Sequence, residues 1–190
     1  MKSKIKSIYF LVAFIFLNAA TVFSQDVLWA SKVVSFSTQV GNQNHSANKV
    51  LGKPDSKIDS TRNGWQPIGS GKEESIVVSF KSNLHAKKVL IVEAMNTGFL
   101  RRVYIIGTDD LEYEVANFPV KPGTKNARLV QVSVGDYNIE VKAVKLVLIP
   151  IRNISTTIDA IGITSSDETF ALSKNHEIVL AEPKAILGAK

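Results

Sequence analysis

The strongest constraint on the fold is a period of two in the apolar residues, repeated in short segments along most of the chain. The segment 74–80, ESIVVSF, places Ile76, Val78 and Phe80 on one side of an extended chain and Ser75, Val77 and Ser79 on the other. The same pattern recurs in six segments, at 87–94, 101–107, 111–116, 128–134, 141–149 and 158–163. These segments are rich in Val, Ile and Tyr, which suit a pleated, half-buried surface. The pattern predicts seven β-strands.

Turn-forming residues separate these segments and set the fold class. Examples are Asn96-Thr97-Gly98, Thr108-Asp109-Asp110 and Lys121-Pro122-Gly123. Glycine supplies positive φ angles in turns, and proline fixes the first turn position. A helical period is nearly absent, and only 44–51 could form about one helical turn, ended by Gly52 as a left-handed cap. Short strands at regular spacing predict an all-β protein, an antiparallel β-sandwich or jelly roll.

The N-terminus has the organisation of a secretory signal peptide. Lys2, Lys4 and Lys6 precede an apolar run at 8–17, and small residues follow up to Ser24. This arrangement predicts cleavage after Ser24, so that 1–24 is a signal peptide and the protein is exported to the periplasm, the outer membrane or the cell surface. The apolar run is shorter than the roughly 20 residues that span a bilayer, so no stable membrane span is expected after cleavage.

Cleavage of the signal peptide also lowers the net charge of the protein, and this charge bears on which partners are expected. The full chain has 23 basic and 17 acidic residues, and removal of the three signal lysines leaves 20 basic and 17 acidic residues, a net charge of +3. No basic run falls on a predicted helix, and the aromatic residues do not alternate with basic ones. We therefore expect no nucleic-acid partner. The chain has no cysteine, so its core must be stable without disulfides.

The length after cleavage predicts one domain, which we place at 25–166. Beyond Ser165 the alternation weakens, although 177–180 is strand-like, and the chain ends in AEPKAILGAK. We interpret 167–190 as a C-terminal extension or linker, and a longer natural chain is an open alternative.

The segment LGKPDS at 51–56 is predicted to be a structural corner. Gly52 can end a helical turn, Pro54 prevents its continuation, and Asp55 follows directly. Asp159 lies in an otherwise apolar strand segment, so its carboxylate needs partners. We expect it to accept backbone N–H bonds from this corner. A structural Ca²⁺ held by Asp55, Asp59 and Asp159 is the minor alternative. No other metal or cofactor is expected.

Four stretches taken together, LWASKVVSFST, ANKVLGKPDS, GWQPIGSGKEESIVVSF and TTIDAIGI, support a resemblance. In this order they resemble the galactose-binding-like, discoidin-type β-sandwich domain of OmpA-type cell-envelope proteins, over 27–165. The resemblance implies an envelope-associated module. A peptidoglycan-binding role is not implied, because the sequence has no counterpart of the OmpA-like domain that carries it.

The candidate ligand-binding residues are Trp65, Asn96, Arg101 and Arg102. Trp65 is interpreted either as a platform on which a sugar stacks or, preferably, as a plug that closes one end of the sandwich. The resemblance implies that ligands bind to loops at one end of the sandwich. Asn96 beside an arginine suits sugar hydroxyls or a carboxylate, although a solvated loop is the simpler interpretation. Arg101 and Arg102 are adjacent on a strand, so at most one of them faces such a site.

Three function classes follow from these observations. We favour a non-catalytic, exported module for recognition or scaffolding, whose partner is an envelope protein or a glycan. The alternative is a carbohydrate-binding module that uses loops at one end of the sandwich. A hydrolase with paired carboxylic acids is the third class, but no nucleophile elbow or HExxH motif supports an enzyme.

Overall fold

The computed structural model describes residues 27–55, 63–69, 71–119, 127–135, 137–172 and 177–181, and shows a sandwich of two five-stranded sheets. The all-β fold class is therefore confirmed. The strands are β1 (Val27–Trp29), β2 (Lys32–Phe36), β3 (Glu74–His85), β4 (Lys88–Met95), β5 (Leu100–Gly107), β6 (Glu112–Asn117), β7 (Arg128–Ser133), β8 (Glu140–Leu148), β9 (Thr157–Thr164) and β10 (Glu177–Ala181). Among the described residues, no helix is long and apolar enough to cross a membrane.

The first sheet, sheet A, has the order β1-β9-β4-β7-β10, and the second, sheet B, has the order β2-β3-β8-β5-β6. All pairs are antiparallel except β7 with β10, which run parallel. Since β1 leads into β2 and β3 into β4, the chain passes repeatedly between the sheets. As a result, the loops gather at the two ends of the sandwich.

The main core lies between the sheets and is built from the inward side of each alternating strand. Ile76 and Val78 of β3 face Val144 and Leu146 of β8 across the ladder, and all four side chains are fully buried. Strand β9 is buried along its whole length. At about 25 cal/mol per Å² of apolar surface removed from water, such side chains are the main source of stability.

A smaller apolar cluster covers the outer face of sheet A. Leu90, Val92 and Leu129 are buried there beneath Trp29 and Phe170. The rings of Trp29 and Phe170 meet edge to face, with their centroids 5.9 Å apart. This cluster shields the outer surface of the central strands from water.

The described part of the segment 167–190 packs against the sandwich instead of leaving it as a linker. The side-chain amide of Gln131 accepts from the Phe170 N–H at 2.9 Å and donates to the Phe170 carbonyl at 2.8 Å. Further along, β10 pairs in register with β7. Strand pairing and the cluster around Phe170 thus connect 167–172 and 177–181 to the sandwich, while the predicted bounds of the domain at 25–166 and of the extension at 167–190 stay a prediction. Residues 182–190 lie outside the described residues.

Strands β1 and β2 were not among the segments predicted from periodicity. A bulge between Val33 and Ser35 breaks the period of two in β2, so periodicity does not predict this strand. The predicted helical turn at 44–51 is two short 3₁₀ turns, Gln43–His45 and Ala47–Val50. The signal peptide predicted at 1–24 lies outside the described residues.

Candidate functional site

Trp65 lies inside one end of the sandwich. Its side chain is fully buried, and its indole N–H donates to the Thr38 carbonyl at 2.9 Å. Its backbone N–H donates to the Ile158 carbonyl at 2.8 Å, and its carbonyl accepts from the Ile158 N–H at 3.0 Å. This is the arrangement expected of a plug. Because the ring is buried, it offers no face on which a sugar could stack in this structure.

The structure describes residues 51–55 of the LGKPDS corner. Gly52 has a φ of +86°, in the left-handed region, and directly follows Leu51, which caps the second 3₁₀ turn. Pro54 follows this bend, and the Asp55 N–H donates to Oδ2 of Asp159 at 3.1 Å. The predicted hydrogen bond between this corner and Asp159 is therefore present.

The side chain of Asp159 is buried, and burial favours the protonated form of its carboxyl. The pKa of its carboxyl is raised from 3.8 to about 7, mainly by burial; the hydrogen bond from the Asp55 N–H opposes this shift, and the nearby Asp55 carboxylate adds to it. The described residues contain no group of three acidic, histidine or cysteine side chains that could hold a metal ion. Asp59 lies outside the described residues, so the calcium alternative, which needs it, stays a hypothesis.

Asn96 lies in the loop that joins β4 to β5, at the same end as Trp65. Its φ is +46°, and its side-chain amide donates to the Ser155 carbonyl at 2.5 Å. Two residues later Gly98 also has a positive φ, of +97°. These two left-handed residues turn the chain tightly, and the hydrogen bond joins this loop to the loop that precedes β9.

A buried ion pair, which was not predicted from the sequence, is joined to the same loop by a hydrogen bond. Oε1 of Glu93, whose side chain is fully buried, accepts from the Gly98 N–H at 3.1 Å. Its Oε2 accepts from Nε of Arg128 on the neighbouring strand. A buried carboxylate needs such partners, so the loop, the acid and Arg128 fix one another. The only sequence signal for this pair is an acidic residue within an apolar strand, as for Asp159.

Arg101 and Arg102 do not join Asn96 and Trp65 in one site. The guanidinium of Arg101 donates to the Phe118 carbonyl. Arg102 pairs with Glu73 through Nη2 and Oε1 at 2.5 Å. Arg102 lies opposite Val147 in the ladder of sheet B and faces the outer side of that sheet. Both arginines therefore make internal contacts, as expected for structural roles, and their ligand-binding role stays a prediction.

Three neighbouring loops form this end of the sandwich, and we call it the loop end: residues 66–69, 96–98 and 151–155. Asn96 is half-buried there, and Thr97 and Gly98 are buried. Ile68, Ile151 and Ile154 are exposed there, by 53%, 39% and 36%. A Cβ placed on Gly69 would lie 3.1 Å from the Ile151 carbonyl oxygen, which shows how closely two of the loops approach. The side-chain amide of Gln66 donates to Oγ of Ser155 at 3.1 Å. Exposed apolar side chains thus lie near amide and hydroxyl groups, on loops that are joined to one another by hydrogen bonds.

Comparison with known proteins identifies the architecture. No family model matches the chain, and no curated protein matches it. Several solved structures do. A pectin-binding carbohydrate-binding module has a TM-score of 0.56 at 14% identity, over 83% of this chain and 99% of that one. The family 32 carbohydrate-binding module of C. perfringens NanJ, in complex with galactose, has a TM-score of 0.52 at 17% identity, over 73% and 98%.

The same fold also occurs in a protein-binding setting. Reduced XRCC1 bound to the catalytic domain of DNA polymerase β has a TM-score of 0.56 at 15% identity, over 74% of this chain and 100% of that one. At these identities the comparisons show the fold alone. The chain folds as a β-sandwich of the galactose-binding-like type, an architecture that it shares with carbohydrate-binding modules.

Proposed function

We propose that this protein is a non-catalytic carbohydrate-binding module whose ligand lies on the loop end. The observation that carries the proposal is the grouping of Ile68, Ile151 and Ile154, all exposed, beside the Asn96 amide and Ser155. Two structures that share the fold support the ligand class, since one is a complex with galactose and another is a pectin-binding module.

The chemistry of the loop end suits a sugar. A pyranose ring has an apolar face of C–H groups and a rim of hydroxyls, so it needs an apolar contact surface and a few well-placed polar groups. The isoleucines supply the first, and Gln66, Asn96 and Ser155 supply the second. Arg152 is exposed between two of these isoleucines and can pair with the carboxylate of an acidic sugar.

The loops are held in place before any ligand arrives. Asn96 is bonded to Ser155, and Gly98 is bonded to buried Glu93. A preformed surface loses little conformational entropy on binding, which favours affinity for a small ligand. None of the residues in this proposal acts as a catalytic acid, base or nucleophile.

Calorimetric titration with galactose and with hexagalacturonate tests this proposal. We expect saturable binding of at least one of the two. Asn96→Gly should weaken it, because glycine keeps the positive φ while the amide is lost. Ile151→Ser should weaken binding through the lost apolar contact.

The matched control is Leu180→Ser, which removes an apolar side chain that is 60% exposed on β10, away from the loop end. Binding by this variant should equal that of the unmodified protein. Binding that Asn96→Gly and Ile151→Ser leave unchanged, in proteins with unaltered unfolding curves, would contradict the placement on the loop end. No binding of either sugar would contradict the proposed ligand pair.

We also propose that the module acts after export, at the cell envelope. The composition of residues 1–24 and the sequence resemblance to domains of OmpA-type envelope proteins support this part of the proposal. In this reading the glycan partner belongs to the envelope or to its surroundings. An envelope protein as the partner is the alternative.

A further inference from the structure

We infer that the outer face of sheet B carries a second binding site, for a stretch of a neutral oligosaccharide chain. A groove of about 520 Å³ lies there. We call it the sheet-B groove, and it is lined by Val34, Val77, Ser79, Phe80, Asn83, Ile106, Asp110, Glu112, Lys142 and Ala143. Its volume falls within the roughly 300–1,000 Å³ of sites that bind small ligands. The site is distinct from the loop end, and only the ligand class rests on the proposed function.

The floor of the groove follows from the strand register. Ser79, Ala143 and Ile106 are direct neighbours across β3, β8 and β5, in one row. Val77 lies two residues from Ser79, on the same face. Alanine and serine are small, so this row forms a low, mostly apolar strip across the sheet. Such a strip matches the C–H face of a sugar ring.

A bulge forms one side of the groove. In β2 the register shifts between Val33 and Ser35, so Val34 is the extra residue of the bulge. Its side chain is 56% exposed and lines the groove. In β3 the register shifts again between Ser79 and Leu84, and this irregular stretch contributes Phe80 and Asn83. Bulges change the direction in which side chains point, and here the two irregular stretches contribute side chains to the same wall of the groove.

The opposite side carries charges that cancel in pairs. Lys142 is ion-paired with Asp110. Just beyond the lining, Lys145 donates to both carboxylate oxygens of Glu112, at 3.0 and 2.8 Å, and its ammonium lies 5.4 Å from the Tyr104 ring centroid. Two lysines thus neutralise two acids, and the wall presents hydrogen-bonding groups without a net charge.

The balance of positive and negative charges on this wall indicates which class of ligand the groove can bind. A polyanion needs an excess of positive charge, which the wall lacks. A lipid chain needs a continuous apolar lining, whereas five of the ten lining residues are polar or charged. Hydroxyl groups can both donate to carboxylates and accept from ammonium and amide groups, as Asp110, Lys142 and Asn83 allow. A neutral sugar chain satisfies the apolar floor and the polar walls together.

The test is calorimetric titration of the protein with linear β-1,4-linked hexasaccharides of glucose, xylose and mannose, with hexagalacturonate as the charged comparison. We expect at least one neutral hexasaccharide to bind. Val34→Ser and Asn83→Ala, both at exposed positions of the groove wall, should weaken that binding by about fivefold or more. The control, Ile178→Ser, removes an apolar side chain that is 40% exposed on β10 and should leave binding unchanged.

The variants separate this inference from the proposed function. Loss of hexasaccharide binding in Val34→Ser and Asn83→Ala, but not in Ile151→Ser, supports the sheet-B groove even if the loop end binds nothing. Binding that Ile151→Ser weakens and the groove variants leave intact would overturn the groove while retaining the loop end. No neutral hexasaccharide binding would overturn the inference, as would preferential binding of hexagalacturonate through the groove residues.

Discussion

Replacing Asp159 with asparagine should make the protein more stable at alkaline pH and should flatten its stability against pH. Burial raises the pKa of Asp159 from 3.8 to about 7 in the folded protein. The folded state therefore keeps a proton that the unfolded chain has already lost. The contribution of this carboxyl to stability is fully present below about pH 3.8 and is lost as the pH rises through about 7.

The magnitude follows from the size of that difference. At about 1.4 kcal/mol per pKa unit, ionisation of Asp159 in the folded state costs up to ~4 kcal/mol at alkaline pH. Asparagine has nearly the same shape and keeps an oxygen that can accept the Asp55 N–H, but it carries no charge. The free energy of unfolding of Asp159→Asn should therefore exceed that of the unmodified protein by a few kcal/mol at pH 8, with a much smaller difference at pH 4.

Urea unfolding at pH 4, 6 and 8 measures this difference directly. The control is Asp167→Asn, which neutralises a carboxylate that is 75% exposed and paired with Lys87 on the surface. Its effect should be below about 1 kcal/mol at every pH, as for other exposed ion pairs. If the curves for Asp159→Asn and the unmodified protein run parallel from pH 4 to pH 8, the reasoning about burial is wrong.

Two further predictions concern the plug and the export signal. Trp65→Ala should lower the free energy of unfolding by about 3–5 kcal/mol, because it leaves a cavity and removes the bond to Thr38; a variant as stable as the unmodified protein in chemical denaturation would contradict the plug. Expression in a bacterial host, followed by N-terminal sequencing of the exported protein, should give a chain that begins at Gln25, and retention of Met1 would contradict the signal peptide.

Much of the fold could be predicted because apolar and polar residues alternate along a strand that buries one face. Strands β3 and β8 show this, since Ile76 and Val78 pair with Leu146 and Val144 on the same inward side. The pattern failed where one extra residue, Val34, interrupts the period in β2. The position of β10 could not be predicted either, because its parallel pairing with β7 depends on partners far away in the sequence.

The candidate sites were less predictable than the fold, because side-chain partners are set by tertiary packing. The hydrogen bond from the corner to Asp159 could be predicted, since a carboxylate in an apolar strand must have donors. The partners of Arg101 and Arg102, the Phe118 carbonyl and Glu73, could not. The sequence shows that one side of the segment 141–149 is mixed in polarity, with Lys145 beside Val147. Only the strand order showed that this side contributes to a groove.

The central claim is that the loop end binds carbohydrate, and amide chemical-shift mapping tests it most directly. The ¹⁵N-labelled protein would be titrated with galactose and with hexagalacturonate while its backbone resonances are followed. The account predicts saturable shifts concentrated at 66–69, 96–98 and 151–155, with Leu180 and its neighbours on β10 unchanged. Spectra that stay unchanged with both sugars, or shifts that avoid these three loops, would contradict it.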